Sequence, residues 1–113
     1  MSSDCLFCRI ARREIPANIV REDEDTLAFR DIDPKAPTHV LVIPKTHVGS
    51  LNDAVDAETL GRLLLVARDI AAAEGIASSG YRTVINTGAD SGQTVHHVHV
   101  HVLGGRHLKW PPG

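Results

Sequence analysis

The sequence contains few of the residues that mark several large protein classes. It has only four aromatic residues and one methionine among 113 residues, which predicts a small core that gains stability from oligomerisation or a metal. No apolar run approaches the roughly 20 residues that span a bilayer, so no membrane partner is expected. The start of the chain lacks the basic and apolar stretches of a signal peptide, which predicts a cytoplasmic protein. The formal net charge of -2 gives no reason to expect a nucleic acid partner.

The apolar pattern predicts an α+β fold, with residues 1–113 forming a single domain. Strands around one long helix, joined by hairpin-length links, favour an antiparallel sheet. The predicted helices are a short one over 4–13, capped by Asp4, and a long one over 57–74, capped by Asp56 and ended by Gly75. The predicted strands are 19–22, 26–30, 39–43 (ended by Pro44), 81–87 and 96–103.

Three histidines alternate with valine in the segment His97-Val-His99-Val-His101-Val. Side chains on a strand point alternately to its two faces, so the histidines should share one face and the valines the other. The valine face is expected to be buried in the core. Three imidazoles on one face indicate a metal site or a catalytic row, and a solvated face that happens to use histidine is the third alternative.

The loop before these histidines favours catalysis over metal binding. Its small and polar residues are Gly88, Gly92, Gln93 and Thr94. Such a loop can bring backbone N–H groups and a hydroxyl close to a phosphate, and Asn86 can add a side-chain donor. A phosphate site beside imidazoles indicates phosphoryl or nucleotidyl transfer with histidine as the nucleophile.

The segment Gly92-Gln-Thr-Val-His-His-Val-His-Val-His-Val resembles the His-x-His-x-His signature of the histidine triad (HIT) family. Further segments resemble the Hint branch of that family in the same order: Glu14-Ile-Pro-Ala, Ala28-Phe-Arg-Asp-Ile, Ala36-Pro-Thr-His-Val-Leu-Val-Ile-Pro-Lys and the tail Leu103-Gly-Gly-Arg-His-Leu-Lys-Trp-Pro-Pro-Gly. The resemblance implies a HIT-like fold with a five-stranded antiparallel sheet, in a homodimer. It also implies hydrolysis of P–N bonds in purine nucleotides, meaning AMP or GMP joined to an amine such as ammonia or lysine, without a cofactor for catalysis.

The resemblance also implies a role for each histidine. His99 matches the nucleophile that takes the adenylyl group, His101 a phosphate contact, and His97 the orienting first position. Attack needs a neutral imidazole whose other ring nitrogen is held by an acceptor, which we expect to be a backbone carbonyl. Thr94 stands where Hint proteins usually carry Ser, and its hydroxyl would meet the phosphate or the leaving nitrogen. His39 is given a supporting role at most.

The nucleotide contacts follow from the same resemblance. Asp31 matches the acidic residue that binds the ribose hydroxyls, although its residue type alone would also suit a turn at the end of a strand. The predicted walls around the purine are Phe7, Ile10, Phe29, Ile32 and Leu41, which could equally be ordinary core. The predicted polar contacts are Asn86, Gly92, Gln93, Thr94, His99 and His101.

Cys5 and Cys8 have the spacing of half a tetrahedral zinc site. A structural disulfide between them is not favoured in a cytosol, and two reduced thiols without metal are the alternative. Bacterial HIT proteins with this motif complete a structural zinc site with two histidines, which match His47 and His97. The resemblance thus implies a structural zinc ion on these four residues.

Two other functions compete with the phosphoramidase. One is a metal-dependent hydrolase with His97, His99 and His101 as ligands and water in the fourth position. The other is a nucleotide-binding scaffold or regulatory protein with little catalysis of its own.

Overall fold

The fold is one five-stranded antiparallel sheet with a helix on each face, as the α+β prediction expects. A computed structural model describes residues 4–53 and 55–113. The elements in chain order are α1 (Leu6–Ala11), β1 (Ile19–Glu22), β2 (Thr26–Arg30), β3 (Thr38–Pro44), α2 (Ala57–Ala73), β4 (Tyr81–Val84) and β5 (Val100–Gly104). The strand order is β1-β2-β3-β5-β4, and every neighbouring pair is antiparallel.

Helix α2 covers one face of the sheet. The Asp56 side chain accepts from the Thr59 backbone N–H, which caps the first turn as predicted. Glu74 ends the helix, and Gly75 follows with a φ of 76°, a left-handed value that glycine adopts without strain. The helix buries one stripe of side chains, Leu63, Val66, Ala67, Ile70 and Ala71, in a core with Val40, Val42, Val98, Val100 and Val102.

Helix α1 lies on the opposite face. Phe7 and Ile10 of α1 pack with Phe29 of β2 and Leu41 of β3 in a second cluster. Alternate residues of β3 therefore join different clusters, which makes β3 a strand buried on both faces. In the β3–β5 register Leu41 pairs with His101, so that histidine lies on the α1 face.

Several predicted boundaries were wrong. Helix α1 runs over 6–11 and is capped by the thiol of Cys5, which accepts from the Cys8 backbone N–H, and not by Asp4. Strand β4 ends at Val84, and β5 begins only at Val100. The residues before Val100 leave the ladder because the Val98 N–H donates to Val48 O in the loop after β3. No helix in the described residues is both long and apolar enough to cross a membrane.

Candidate active site

The alternation of faces persists through the triad although only its last histidine lies in a regular strand. Val98, Val100 and Val102 are all buried in the α2 core, which confirms the predicted valine face. His97 and His99 are buried on the other side, and His101 is half-buried there. The rings of His99 and His101 are neighbours, with centroids 4.9 Å apart and planes inclined by 59°.

His99 is held in one orientation by a backbone carbonyl. Its Nδ1 donates to the carbonyl oxygen of His97 at 2.7 Å. In the neutral ring the proton is therefore on Nδ1, and Nε2 keeps an available lone pair. Burial lowers the pKa of His99, and the ring of Phe7 packs edge-on against it at 5.1 Å. The geometry provides the neutral, oriented imidazole that a nucleophile needs near pH 7.

His101 is oriented by a chain of hydrogen bonds that begins at a backbone amide. The Lys35 N–H donates to His39 Nδ1 at 3.0 Å, so the proton of a neutral His39 is on Nε2. That nitrogen lies 2.9 Å from His101 Nδ1, to which it donates. The proton of a neutral His101 is therefore on Nε2. Burial lowers the pKa of His39 and lowers that of His101 to about 4, so both rings are neutral at pH 7.

Two further polar groups adjoin this chain. Asp31 Oδ2 is 3.4 Å from His39 Nε2. The side-chain nitrogen of Asn86 lies 3.5 Å from His101 Nε2, and with the amide turned over its oxygen would accept from that N–H. His39 thus lies between the Lys35 amide and His101, a position that suits the supporting role predicted from the sequence. The Lys35 amide escaped sequence analysis because backbone donors leave no mark in a sequence.

An apolar cavity of about 270 Å³ opens beside His99. Its walls include all five side chains predicted to surround the purine: Phe7, Ile10, Phe29, Ile32 and Leu41. Asp31, Thr94, His99 and His101 lie along the same cavity. Ile32 is 98% exposed and forms its outer edge. We call this space the nucleoside cavity; occupation by a nucleotide stays a prediction.

The loop before the triad is braced by Gln93. Its side-chain oxygen accepts from the Gly88 N–H at 2.9 Å, and its nitrogen donates to the carbonyls of Gly49 and Val95. This buried amide is engaged within the loop and does not line the nucleoside cavity, nor does Gly92. Thr94 is exposed and borders the cavity. The predicted phosphate contacts of Gly92 and Gln93 therefore stay predictions.

Cys5, Cys8, His47 and His97 converge as the zinc prediction requires. Their ligand atoms all lie within 4.8 Å of one another. The S–N distances are 3.3 to 3.5 Å, and the two Nδ1 atoms are 3.2 Å apart. Tetrahedral zinc with bonds of about 2.0–2.3 Å sets its ligand atoms roughly 3.3–3.8 Å apart, so the residues fit the ion. His97 Nε2 donates to Pro44 O at 2.8 Å, which leaves Nδ1 as the ligand atom.

The competing site with three triad histidines around one metal does not form. His97 Nδ1 faces the cysteine thiols, His99 Nδ1 the His97 carbonyl, and His101 Nδ1 the ring of His39. Their ring nitrogens are directed to three different partners, so this rival prediction was wrong.

The family comparisons agree with this geometry. The family model described as "HIT domain" matches residues 12–108. An uncharacterised HIT-like protein of Synechococcus elongatus is 57% identical over 100% of both chains. The 14 kDa zinc-binding protein of Zea mays is 51% identical over 98% of this chain and 89% of its own.

Solved structures show the same fold. The HIT family hydrolase of Legionella pneumophila matches with a TM-score of 0.94 and 53% identity, over 96% of this chain and 99% of its own. The histidine triad nucleotide-binding protein of Candida albicans matches with a TM-score of 0.83 and 32% identity, over 95% and 82%. The sequence, the histidine arrangement and the fold thus lead to one assignment: the chain belongs to the HIT domain family.

Proposed function

We propose that the protein hydrolyses the P–N bond of purine nucleoside phosphoramidates, such as AMP-NH2 and AMP-lysine, through an adenylyl group carried on His99. The observation that carries the proposal is the 2.7 Å hydrogen bond from His99 Nδ1 to the His97 carbonyl. It leaves Nε2 as the one ring atom that can attack phosphorus, in a residue that borders the nucleoside cavity.

The neighbouring residues supply binding. The apolar walls of the nucleoside cavity hold the purine, and Asp31 accepts hydrogen bonds from the ribose hydroxyls. Thr94 and Asn86 reach the phosphate oxygens, and His101 Nε2–H donates to the negative charge that develops there.

The reaction proceeds in two balanced steps. His99 Nε2 forms a bond to phosphorus as the P–N bond breaks, and the leaving nitrogen takes a proton from solvent. Adenylylation makes the His99 ring cationic, while His101 stays neutral and its Nε2–H donates to the phosphate oxygens. The hydrogen bond from His39 Nε2 holds the ring of His101 in this orientation. Water then attacks phosphorus and gives up its proton to solvent, and AMP leaves as His99 becomes neutral again.

The cysteine and histidine cluster would hold zinc in a structural role. A zinc ion bound there would take no part in the reaction and would tie Cys5 and Cys8, at the start of α1, to His97, which lies two residues before the proposed nucleophile. Reduced thiols suit a cytoplasmic location, which is part of the proposal.

A homodimer is the proposed functional unit. Leu64 and Leu65 of α2 are exposed, and β4 is an edge strand of the sheet. The tail carries Trp110, which is 79% exposed, and Arg82 holds the tail through the carbonyl of Lys109 at 2.9 Å. Sedimentation at micromolar concentration should give twice the chain mass, and a monomer would contradict the proposal.

Hydrolysis of AMP-NH2, followed by separation of AMP, tests the activity. His99→Ala should lose several powers of ten in rate while still binding AMP, because the covalent route is gone. His107→Ala is the matched control, since His107 is exposed and outside the cavities described. Retention of more than about a tenth of the rate in His99→Ala, a barrier change of only about 1.4 kcal/mol, would contradict the proposal. AMP binding without turnover by the native protein would favour the scaffold function.

A further inference from the structure

A second cavity meets the nucleoside cavity at the triad. It has a volume of about 470 Å³ and shares Asp31, Thr94 and His101 with the nucleoside cavity, but His99 does not line it. Its remaining lining residues are Asp33, Lys35, His39, Val84, Asn86 and Leu103. The two cavities therefore meet at the residue proposed to bind the ribose, Asp31, and at two residues proposed to contact the phosphate, Thr94 and His101.

The chemistry decides what this second cavity receives. In phosphoryl transfer the attacking and leaving atoms lie roughly in line on opposite sides of phosphorus. Because His99 borders the nucleoside cavity, the leaving group lies on the opposite side of phosphorus, in the cavity that His99 does not line. His101, whose Nε2–H is proposed to donate to the phosphate, lines that cavity. We therefore call it the leaving-group cavity.

Lys35 is the one cation among the residues that line the leaving-group cavity. Its backbone is fixed at both ends, because its N–H donates to His39 and its carbonyl accepts from Arg106 Nη2 at 2.8 Å. The side chain thus starts from an anchored point on the wall. Val84 and Leu103 add apolar surface in the same cavity.

The ammonium of Lys35 has a partner that a ligand can replace. Its Nζ contacts the Asp33 carboxylate at 2.5 Å and the Asp33 carbonyl at 3.0 Å. The two side chains are 63% and 85% exposed, and exposed ion pairs add little stability. A carboxylate on the leaving group can therefore take the place of the Asp33 carboxylate at low cost.

We propose that Lys35 is a specificity-determining residue that selects leaving groups with a carboxylate next to the scissile nitrogen, which are amino acids joined to AMP through their α-amine. The proposal rests on the proposed phosphoramidase function. Asp33 limits the selection, because its own carboxylate repels that of the substrate. Lys35 therefore raises the preference for a carboxylate on the leaving group, and Asp33 lowers it.

A matched pair of substrates isolates this charge. In one substrate the α-amine of alanine is joined to AMP, and in the other the α-amine of alaninamide is. The leaving groups have nearly the same shape, but the first carries a carboxylate where the second carries a neutral amide. The readout is the ratio of kcat/KM for alanine to that for alaninamide. Lys35→Gln should lower this ratio about two- to fivefold, the range of an exposed ion pair, and Asp33→Asn should raise it. Lys35→Arg should keep the native ratio.

Arg68→Gln is the control, because it removes the same charge from an exposed position on α2. Its ratio should equal that of the native protein, and thermal melts establish that each variant is folded. If the native protein cleaves both substrates and Lys35→Gln has the native ratio, the inference about Lys35 is overturned while the phosphoramidase stands. If the native protein cleaves AMP-NH2 but neither alanine substrate, the inference is overturned while the phosphoramidase stands. If it cleaves none of the three, the proposed function fails and the inference fails with it.

Discussion

Replacing His39 with phenylalanine removes the donor that fixes the tautomer of His101 and keeps an aromatic ring in a buried position. The hydrogen bond from His39 Nε2 to His101 Nδ1 is 2.9 Å long. A hydrogen bond of this kind contributes about 0.5–1.5 kcal/mol. The population of the productive tautomer, and with it kcat/KM for AMP-NH2, should therefore fall about two- to tenfold. Loss of the His101 Nε2–H donor itself in His101→Phe should cost about 10²–10³-fold.

A double-mutant cycle decides whether the two residues act together. In a His101→Phe background there is no tautomer left to select, so His39→Phe should add little further loss. His39→Gln is the matched variant, because its amide can still donate toward His101 and should restore part of the rate. A loss from His39→Phe that is repeated in full in the His101→Phe background would refute the reasoning.

Three further predictions concern pH, zinc and the ribose. Burial lowers the pKa of His101 from 6.5 to about 4, so as the pH falls the unfolded chain takes up this proton before the folded chain does. The contribution of His101 to the free energy of unfolding should therefore be highest above pH 6.5 and decrease toward pH 4. Equal urea midpoints at pH 7 and pH 5 would contradict this. Cys8→Ser should lose zinc and weaken AMP binding about fivefold or more by calorimetric titration, because the short α1 carries Phe7 of the nucleoside cavity beside the metal ligand; unchanged affinity would disprove this link. Asp31→Asn should reduce kcat/KM for AMP-NH2 about tenfold and for its 2'-deoxy analogue much less, since a carboxylate is the stronger acceptor; equal losses would exclude ribose recognition by Asp31.

Periodicity predicted much of the fold. The strict alternation of histidine and valine placed Val98, Val100 and Val102 in the core even though the regular strand begins only at Val100. The helical spacing of apolar residues placed α2 within one residue of its observed end, because Asp56 and Gly75 are chemically clear start and stop signals.

A backbone carbonyl was expected at the second ring nitrogen of His99, but which backbone group holds each histidine ring could not be predicted. The orientation of His99 depends on the His97 carbonyl, that of His97 on the Pro44 carbonyl, and that of His39 on the Lys35 amide. Such groups are identical in every residue, so only the fold shows which of them is placed at a ring nitrogen. The pairing of His39 with His101 likewise depends on the β3–β5 register, which joins positions 62 residues apart.

Trapping the covalent intermediate tests the central claim most directly. A single-turnover reaction with an adenosine phosphoramidate, quenched within the first turnover and digested at a pH that preserves phosphoramidates, is examined by peptide mass spectrometry. The account predicts one adenylyl group on His99, and none in the His99→Ala variant. An adenylyl group on another residue, or release of AMP at full rate with no adenylated peptide at any quench time, would contradict it.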